Sequence, residues 1–370
     1  MPNDYVLYGR HVFTGNALLN NQAIYIQNGI INNIEPFDNT HSPQQIFDYI
    51  SPAFIDAQIY GANELLLSAF PNSKSIWALQ THCKQWGTLH FLPTIATNTK
   101  EIMYAGIDAV KQYWREGGKG CLGLHLEGPW INKEKRGAHI ESIVHSPTIT
   151  EVEELLAYGK GVIKMITLAP EVCNETSIKI IKQAGIIISA GHSNASFEEA
   201  THAFNNGIPT VTHLYNAMSP LSHRAPGMVG ATFLHPTVYA SIIPDGYHVH
   251  FEAVKIACKQ MPNRLFAITD AVTTTHTGPY QHTLNGNKYE SNGILSGSAL
   301  TMHQAFKNLV NRVNVNITDA LAMCSTIPAT MLQVQHQMGF IQKNYAANII
   351  AFNNDLELVG VFEAAAFTEK

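Results

Sequence analysis

The sequence predicts a (β/α)8 barrel, TIM-like, carrying a small β-sandwich domain formed by both chain termini. Three observations carry that expectation. Eight short apolar runs alternate with helix-like segments through the middle of the chain. Both ends instead read as short, alternating strands. Finally, several of the apolar runs stop at a carboxylate or an imidazole.

The first fifty residues alternate in a strand-like way at 5–8, 23–26 and 30–34, with the turn pair Asn28-Gly29 between the last two, a strong hairpin signal. From Ala53 the pattern changes. Apolar runs at 54–59, 89–95, 121–126, 162–168, 186–190, 209–214, 238–243 and 265–269 are strand candidates. They recur at roughly 20 to 40 residues, the repeat of βα units. Helices are expected between them at 151–158, 175–184, 197–205 and 251–260. The stretch 273–297 is polar and turn-rich and reads as too irregular for core. Helices are expected again at 302–313, 318–323 and 328–335, and the tail returns to strands near 339–341, 347–352 and 358–362. The domains are therefore expected as 1–51 with 339–370 for the terminal β-domain, and 52–338 for the barrel. A doubly wound sheet is the competing architecture.

Charged residues make up 14% of the chain and the formal net charge is -5. Without a long Lys/Arg run, nucleic acid is not the expected partner. No apolar stretch reaches the roughly 18–20 residues of a membrane span, and Met1-Pro2-Asn3-Asp4 does not open a signal peptide. Cys83, Cys121, Cys173, Cys258 and Cys324 are scattered and odd in number, so they read as reduced thiols of a cytoplasmic protein. Gly118 to Gly123 matches G-x-G-x-x-G, yet it precedes a strand and could not open a helix onto a pyrophosphate. Ser193 and Ser219 lack the G-x-S-x-G context of a serine nucleophile.

Glu127, His192, His213 and Asp270 end the third, fifth, sixth and eighth strand candidates. Sites of parallel barrels lie at the C-terminal strand ends, so these four are expected to converge. Taken singly, each could cap a helix or satisfy a loop. Two imidazoles and a carboxylate form a common catalytic zinc set with a position left open for water. Asp270 would then move protons.

The ordered segments His125-Leu126-Glu127-Gly128-Pro129, Gly191-His192-Ser193, Thr212 to Met218, Asp245-Gly246-Tyr247-His248, Thr269-Asp270-Ala271 and Leu295 to Met302 extend this reading. Together they resemble the N-acetylglucosamine-6-phosphate deacetylases of the amidohydrolase superfamily, over nearly the whole chain. The resemblance implies one divalent metal ion per subunit on Glu127, His192 and His213. Zinc comes first, and iron, manganese and cobalt also suit the ligands. It implies Asp270 as acid/base and His139 as carbonyl polariser. Ala138, His139, Asn216 and Ala217 would meet the substrate, Arg224 and His248 the phosphate, and Leu295, Ser296 and Gly297 would close over the acyl side. Plainer roles stand beside these: a surface-loop histidine at His139, an exposed ion-pairing arginine at Arg224, a helix cap at Asn216.

The superfamily's H-x-H pair after the first barrel strand is absent. Gln58 and Tyr60 stand there, poor ligands for a divalent transition metal. One metal ion is therefore expected, with Gln58 placed to hydrogen-bond its water. In the tail, Asn348 stands where the family has aspartate. The implied reaction is deacetylation of a phosphorylated amino sugar by a homodimer. Alternatives are N-acetylgalactosamine-6-phosphate deacetylation, cyclic amide hydrolysis, deamination, or a catalytically inactive scaffold.

Overall fold

The computed structural model describes residues 4–37, 46–291 and 293–364. The chain opens with β1 (Asp4–Phe13), β2 (Leu18–Gln27), β3 (Ile30–Pro36) and β4 (Ile46–Pro52). Asn28 and Gly29 both take positive φ, 50° and 76°, as the tight turn joining β2 to β3 requires. A parallel series follows: β5 (Phe54–Ile59), then, after the short hairpin β6 (Gly61–Ala62) and β7 (Leu65–Leu66), β8 (Thr88–Ala96), β9 (Leu124–Glu127), β10 (Ile163–Leu168), β11 (Ile187–Ala190), β12 (Thr210–Val211), β13 (Tyr239–Ile242) and β14 (Leu265–Ala267). Three strands expected as irregular chain come next, β15 (Thr283–Asn285), β16 (Lys288–Ser291) and β17 (Ile294–Ser298). The tail supplies β18 (Ile349–Phe352) and β19 (Leu358–Phe362).

Strands β5 and β8 to β14 form one eight-stranded parallel sheet in the order β14-β13-β12-β11-β10-β9-β8-β5. Every expected barrel strand is present. They were visible in the sequence because helices cover the outer face and side chains fill the inside, so a strand such as β5 is buried at all six positions. Five of the seven α-helices between them start on a side-chain cap. Asn174 accepts from Ser177 N, and Ser196 and Glu199 form a reciprocal capping box.

The terminal strands form a separate six-stranded sheet, β19-β18-β4-β1-β2-β3. The expected sandwich domain is thus built from one continuous sheet, around its own apolar cluster of Leu7, Val12, Ile24, Ile31, Ile50 and Ile349. We propose the domain limits 1–51 with 339–370 on that basis. Asn348 ties this sheet to the barrel: its carbonyl accepts from Ala53 N at 2.9 Å and its amide lies 3.2 Å from His90 Nε2. Among the described residues no helix is long and apolar enough to cross a membrane.

The stretch 273–297 departs from its sequence reading. Strands β15, β16 and β17 make a three-stranded antiparallel sheet that leans on the barrel mouth through Tyr280 and Val272. Its strands are only three to five residues long, exposed in β15 and half-buried in β16, which leaves little apolar signal. The turn residues Gly286 and Asn287 were the available clue.

The barrel closes between β14 and β5 by side chains and single backbone contacts. Asp56 Oδ1 accepts from Thr269 N and from Gln58 N, both at 3.2 Å, and Asp56 Oδ2 accepts from the Thr269 hydroxyl. Asp270 N donates to Gln58 O at 3.0 Å, and Tyr60 N to Ala271 O at 2.9 Å. Burial pushes the Asp56 carboxyl up to about 7, outweighing these donors, which favour the anion. An unfolded aspartate releases its proton near pH ~4. The folded chain therefore holds the extra proton in between, and the carboxyl's contribution to stability is lost as pH rises through that window. In urea unfolding, the stability advantage of the wild type over Asp56→Asn is expected to shrink from about pH 4 to about pH 7. A constant difference would count against a raised Asp56.

Candidate active site

Four barrel strands deliver their side chains to one point. Glu127 is the last residue of β9. His192, His213 and Asp270 follow β11, β12 and β14 within three residues. The latter three adopt left-handed backbone, with φ of 48°, 34° and 54°. Non-glycine residues enter that region at a cost of order 1–3 kcal/mol each. The kink ends the strand and swings the side chain across the barrel mouth. Gly128, φ 83°, serves closeness instead: a Cβ there would lie 2.2 Å from Thr97 Oγ1.

Glu127 is the hub. Its Oε1 lies 3.0 Å from His213 Nε2, 3.3 Å from His192 Nε2 and 3.0 Å from Gln58 Nε2. Its Oε2 accepts from the Tyr60 hydroxyl and lies 3.2 Å from His139 Nε2. The two ligand-candidate imidazoles are 3.1 Å apart, Nε2 to Nε2. His192 Nδ1 lies 2.8 Å from the Lys135 carbonyl, which can only accept. In the neutral ring Nδ1 therefore carries the proton, and the Nε2 lone pair faces the cluster.

Two imidazole nitrogens and a carboxylate oxygen meet here within 3.3 Å of one another, an arrangement that a cation between them would satisfy. Around a tetrahedral divalent ion, N and O ligands at ~2.0–2.2 Å lie roughly 3.3 Å apart, so Glu127, His192 and His213 fit that role. The hydrogen bond behind His192 is the support that metal-bound imidazoles usually receive. His139 forms an overlapping cluster with Glu127 and His192, its donor atoms within 4.8 Å of theirs. It belongs to the other carboxylate oxygen, and its Nδ1 is engaged at 2.7 Å by Thr97 Oγ1. The tighter triad is the better ligand set.

Burial alone would push the Glu127 carboxyl up, but His192, His139 and His213 hold it well below the usual carboxylate range. Asp270 is moved the other way, raised by burial and then by the Glu127 charge. The two carboxyls thereby differ in basicity, with Asp270 the more basic. Burial, and next His192, brings His139 down to about 4, so its ring is neutral.

Gln58 bridges the two carboxylates. Its amide nitrogen is 3.0 Å from Glu127 Oε1, 2.7 Å from Asp270 Oδ1 and 2.7 Å from the Tyr60 oxygen, a strut between the two carboxylates. Tyr60 binds Glu127 directly.

All of the site residues expected from the sequence, except Arg224, line a single cavity of about 290 Å³. Ala138 and His139 lie on one loop, Asn216 and Ala217 follow β12, and Leu295, Ser296 and Gly297 come from β17. His248 reaches the cavity with Nδ1 2.6 Å from Asp245 Oδ2. Arg224 does not join them. It is exposed, in an irregular surface loop where residues 220–225 are all exposed. Sequence reasoning missed Leu66, Val272, Tyr280 and His282, which also line the cavity. Three of them lie on or beside the 273–298 segment that read as irregular.

A parallel barrel with imidazoles and carboxylates gathered at the C-terminal mouth defines the class, a barrel hydrolase with a candidate metal centre. The chain belongs to the amidohydrolase family, whose profile matches residues 49–368. It is 29% identical to an N-acetylglucosamine-6-phosphate deacetylase of Haemophilus influenzae, over 96% of this chain and 97% of that one. An N-acetylgalactosamine-6-phosphate deacetylase of a Shewanella species (strain ANA-3) is 32% identical, over 98% and 96%. The crystal structure of N-acetylglucosamine-6-phosphate deacetylase from Pasteurella multocida superposes with a TM-score of 0.89 at 30% identity, covering 97% of this chain and 99% of that one.

Metal analysis of the purified protein is expected to find about one divalent ion per chain, with Glu127→Ala, His192→Ala and His213→Ala each lowering occupancy at least roughly tenfold. Full occupancy in the His213 variant would move the ligand role to His139.

Proposed function

We propose that this chain hydrolyses the acetamide of N-acetylglucosamine 6-phosphate, giving glucosamine 6-phosphate and acetate. The observation that carries the reading is the Gln58 strut. It holds a proton acceptor, Asp270, beside a metal-ligand triad in a chain whose relatives carry that activity. The three donors Glu127, His192 and His213 suit zinc. A divalent cation held there supplies Lewis acidity, which acidifies water and polarises a carbonyl.

The remaining steps fall to this chain's side chains. Asp270, its Oδ1 engaged by Gln58, takes the proton of the attacking water at Oδ2. The water oxygen adds to the acetamide carbon. Neutral His139 offers a ring N–H to the oxygen as negative charge develops there. Asp270 then hands its proton to the sugar nitrogen as the C–N bond breaks, so an amine leaves in place of an amide anion. Asn216 and His248 orient the sugar from the far side of the cavity.

No lysine or arginine lines the cavity. A phosphate dianion nonetheless calls for a guanidinium. We place Arg224 in that role from a second copy of the chain, in a homodimer, because its own loop leaves it exposed and without an ion pair among the described residues. The five free thiols agree with a reducing, cytoplasmic setting.

Acetate release should be measured on N-acetylglucosamine and N-acetylgalactosamine, with and without 6-phosphate. The 6-phosphorylated glucosamine derivative is expected to be turned over best, and a preference for the galacto epimer would reassign the substrate. Asp270→Asn is expected to keep its metal and lose about 10²–10⁴-fold in kcat. Arg224→Ala should raise KM for the phosphorylated sugar at nearly constant kcat and leave the unphosphorylated sugar untouched.

A further inference from the structure

The cavity is lined by polar groups, among them Asn216, His248, His282 and Ser296. It is also lined by an apolar cluster of Tyr60, Leu66, Val272 and Tyr280, each less than a tenth exposed. Its place relative to the chemistry is fixed by the two tyrosines. The Tyr60 hydroxyl donates to Glu127 Oε2. The Tyr280 hydroxyl donates to the Thr97 carbonyl at 2.6 Å, and Thr97 Oγ1 is 2.7 Å from His139 Nδ1. Both polar tips are thus consumed in anchoring, and the rings pack with Leu66 and Val272 beside the triad.

The backbone around the wall is well tied. Leu66 pairs with Gly61 across the β6–β7 hairpin, and Leu67 N donates to Tyr60 O at 2.9 Å. Val272 N donates to Ser298 O at 3.1 Å, which couples the wall to β17. A Cβ at Gly297 would lie 2.5 Å from Val272 Cγ1, so β17 packs directly behind it.

An N-acyl amino sugar phosphate is covered in hydroxyls, an amide and a phosphate. Its one substituent without a polar atom is the alkyl end of the acyl group, bonded to the carbon under attack. An apolar wall beside the reaction centre matches that substituent. We propose that Leu66 and Val272, flanked by the Tyr60 and Tyr280 rings, form the acyl pocket and set the length of acyl chain removed. This rests on the amide-hydrolysis reading above and adds to it the determinant of acyl selectivity.

The test compares kcat/KM for N-acetyl-, N-propanoyl- and N-butanoyl-glucosamine 6-phosphate in the wild type, Leu66→Ala, Val272→Ala and Leu66→Phe. One methylene in an apolar pocket is worth roughly 10–200-fold in discrimination. The wild type is expected to favour acetyl. Either alanine variant should raise the butanoyl-to-acetyl ratio at least about tenfold, and Leu66→Phe should lower the propanoyl-to-acetyl ratio. Both substrates of a ratio are measured on one preparation, so a partly unfolded variant lowers both rates and leaves the ratio readable. Ratios that stay flat across the three variants while acetyl hydrolysis persists would overturn the acyl pocket alone. A metal-loaded wild type that cleaves none of the three would overturn the deacetylase reading itself.

Discussion

The mouth of the barrel is organised around one buried negative charge, Glu127. A carboxylate removed from water costs several kcal/mol unless its surroundings replace the lost hydration. Here the replacement comes from the Gln58 amide at Oε1 and from the Tyr60 phenol and His139 at Oε2, while the His192 and His213 imidazoles pack against Oε1. Burial, and then the charge of Glu127, raises the neighbouring carboxyl of Asp270, which becomes the more basic of the two.

The same point explains the residues that replace the superfamily's histidine pair. An amide and a phenol at positions 58 and 60 bind the carboxylates themselves, the Gln58 amide spanning Glu127 and Asp270 and the Tyr60 hydroxyl donating to Glu127. Gln58 and Tyr60 share that task with the barrel seam. Their backbone groups exchange hydrogen bonds with Asp270 and Ala271, so closing the barrel and aligning the two carboxylates are one structural event. Three left-handed residues at the strand ends are sustained by that surrounding structure, and backbone strain of this kind gathers where side chains must be aimed.

How much of this could be read beforehand depends on the range of the interaction involved. The barrel strands were visible because burial on both faces leaves continuous apolar runs of the right length, and Asn28-Gly29 announced its hairpin by local backbone preference alone. Strands β15 to β17 were not visible, since runs of three to five residues without a consistently buried face carry almost no pattern. With them the contribution of Tyr280 and His282 to the cavity was lost as well. Position at a strand end was enough to nominate Glu127, His192, His213 and Asp270. It could not decide Arg224, whose loop obeys no periodic rule and leaves the side chain exposed.

The sequence by itself determined the class of fold, the order of its strands and the residue types that meet at the barrel's C-terminal end, because these follow from local periodicity and one general property of parallel barrels. Tertiary structure alone decided what those residues do to one another. The Gln58 amide touches a carboxylate 212 positions away, and the apolar wall joins side chains from opposite ends of the barrel sequence. Contacts of that kind exist only once the first and last strands meet, and burial together with the neighbouring groups then makes Asp270 the more basic of the two carboxyls.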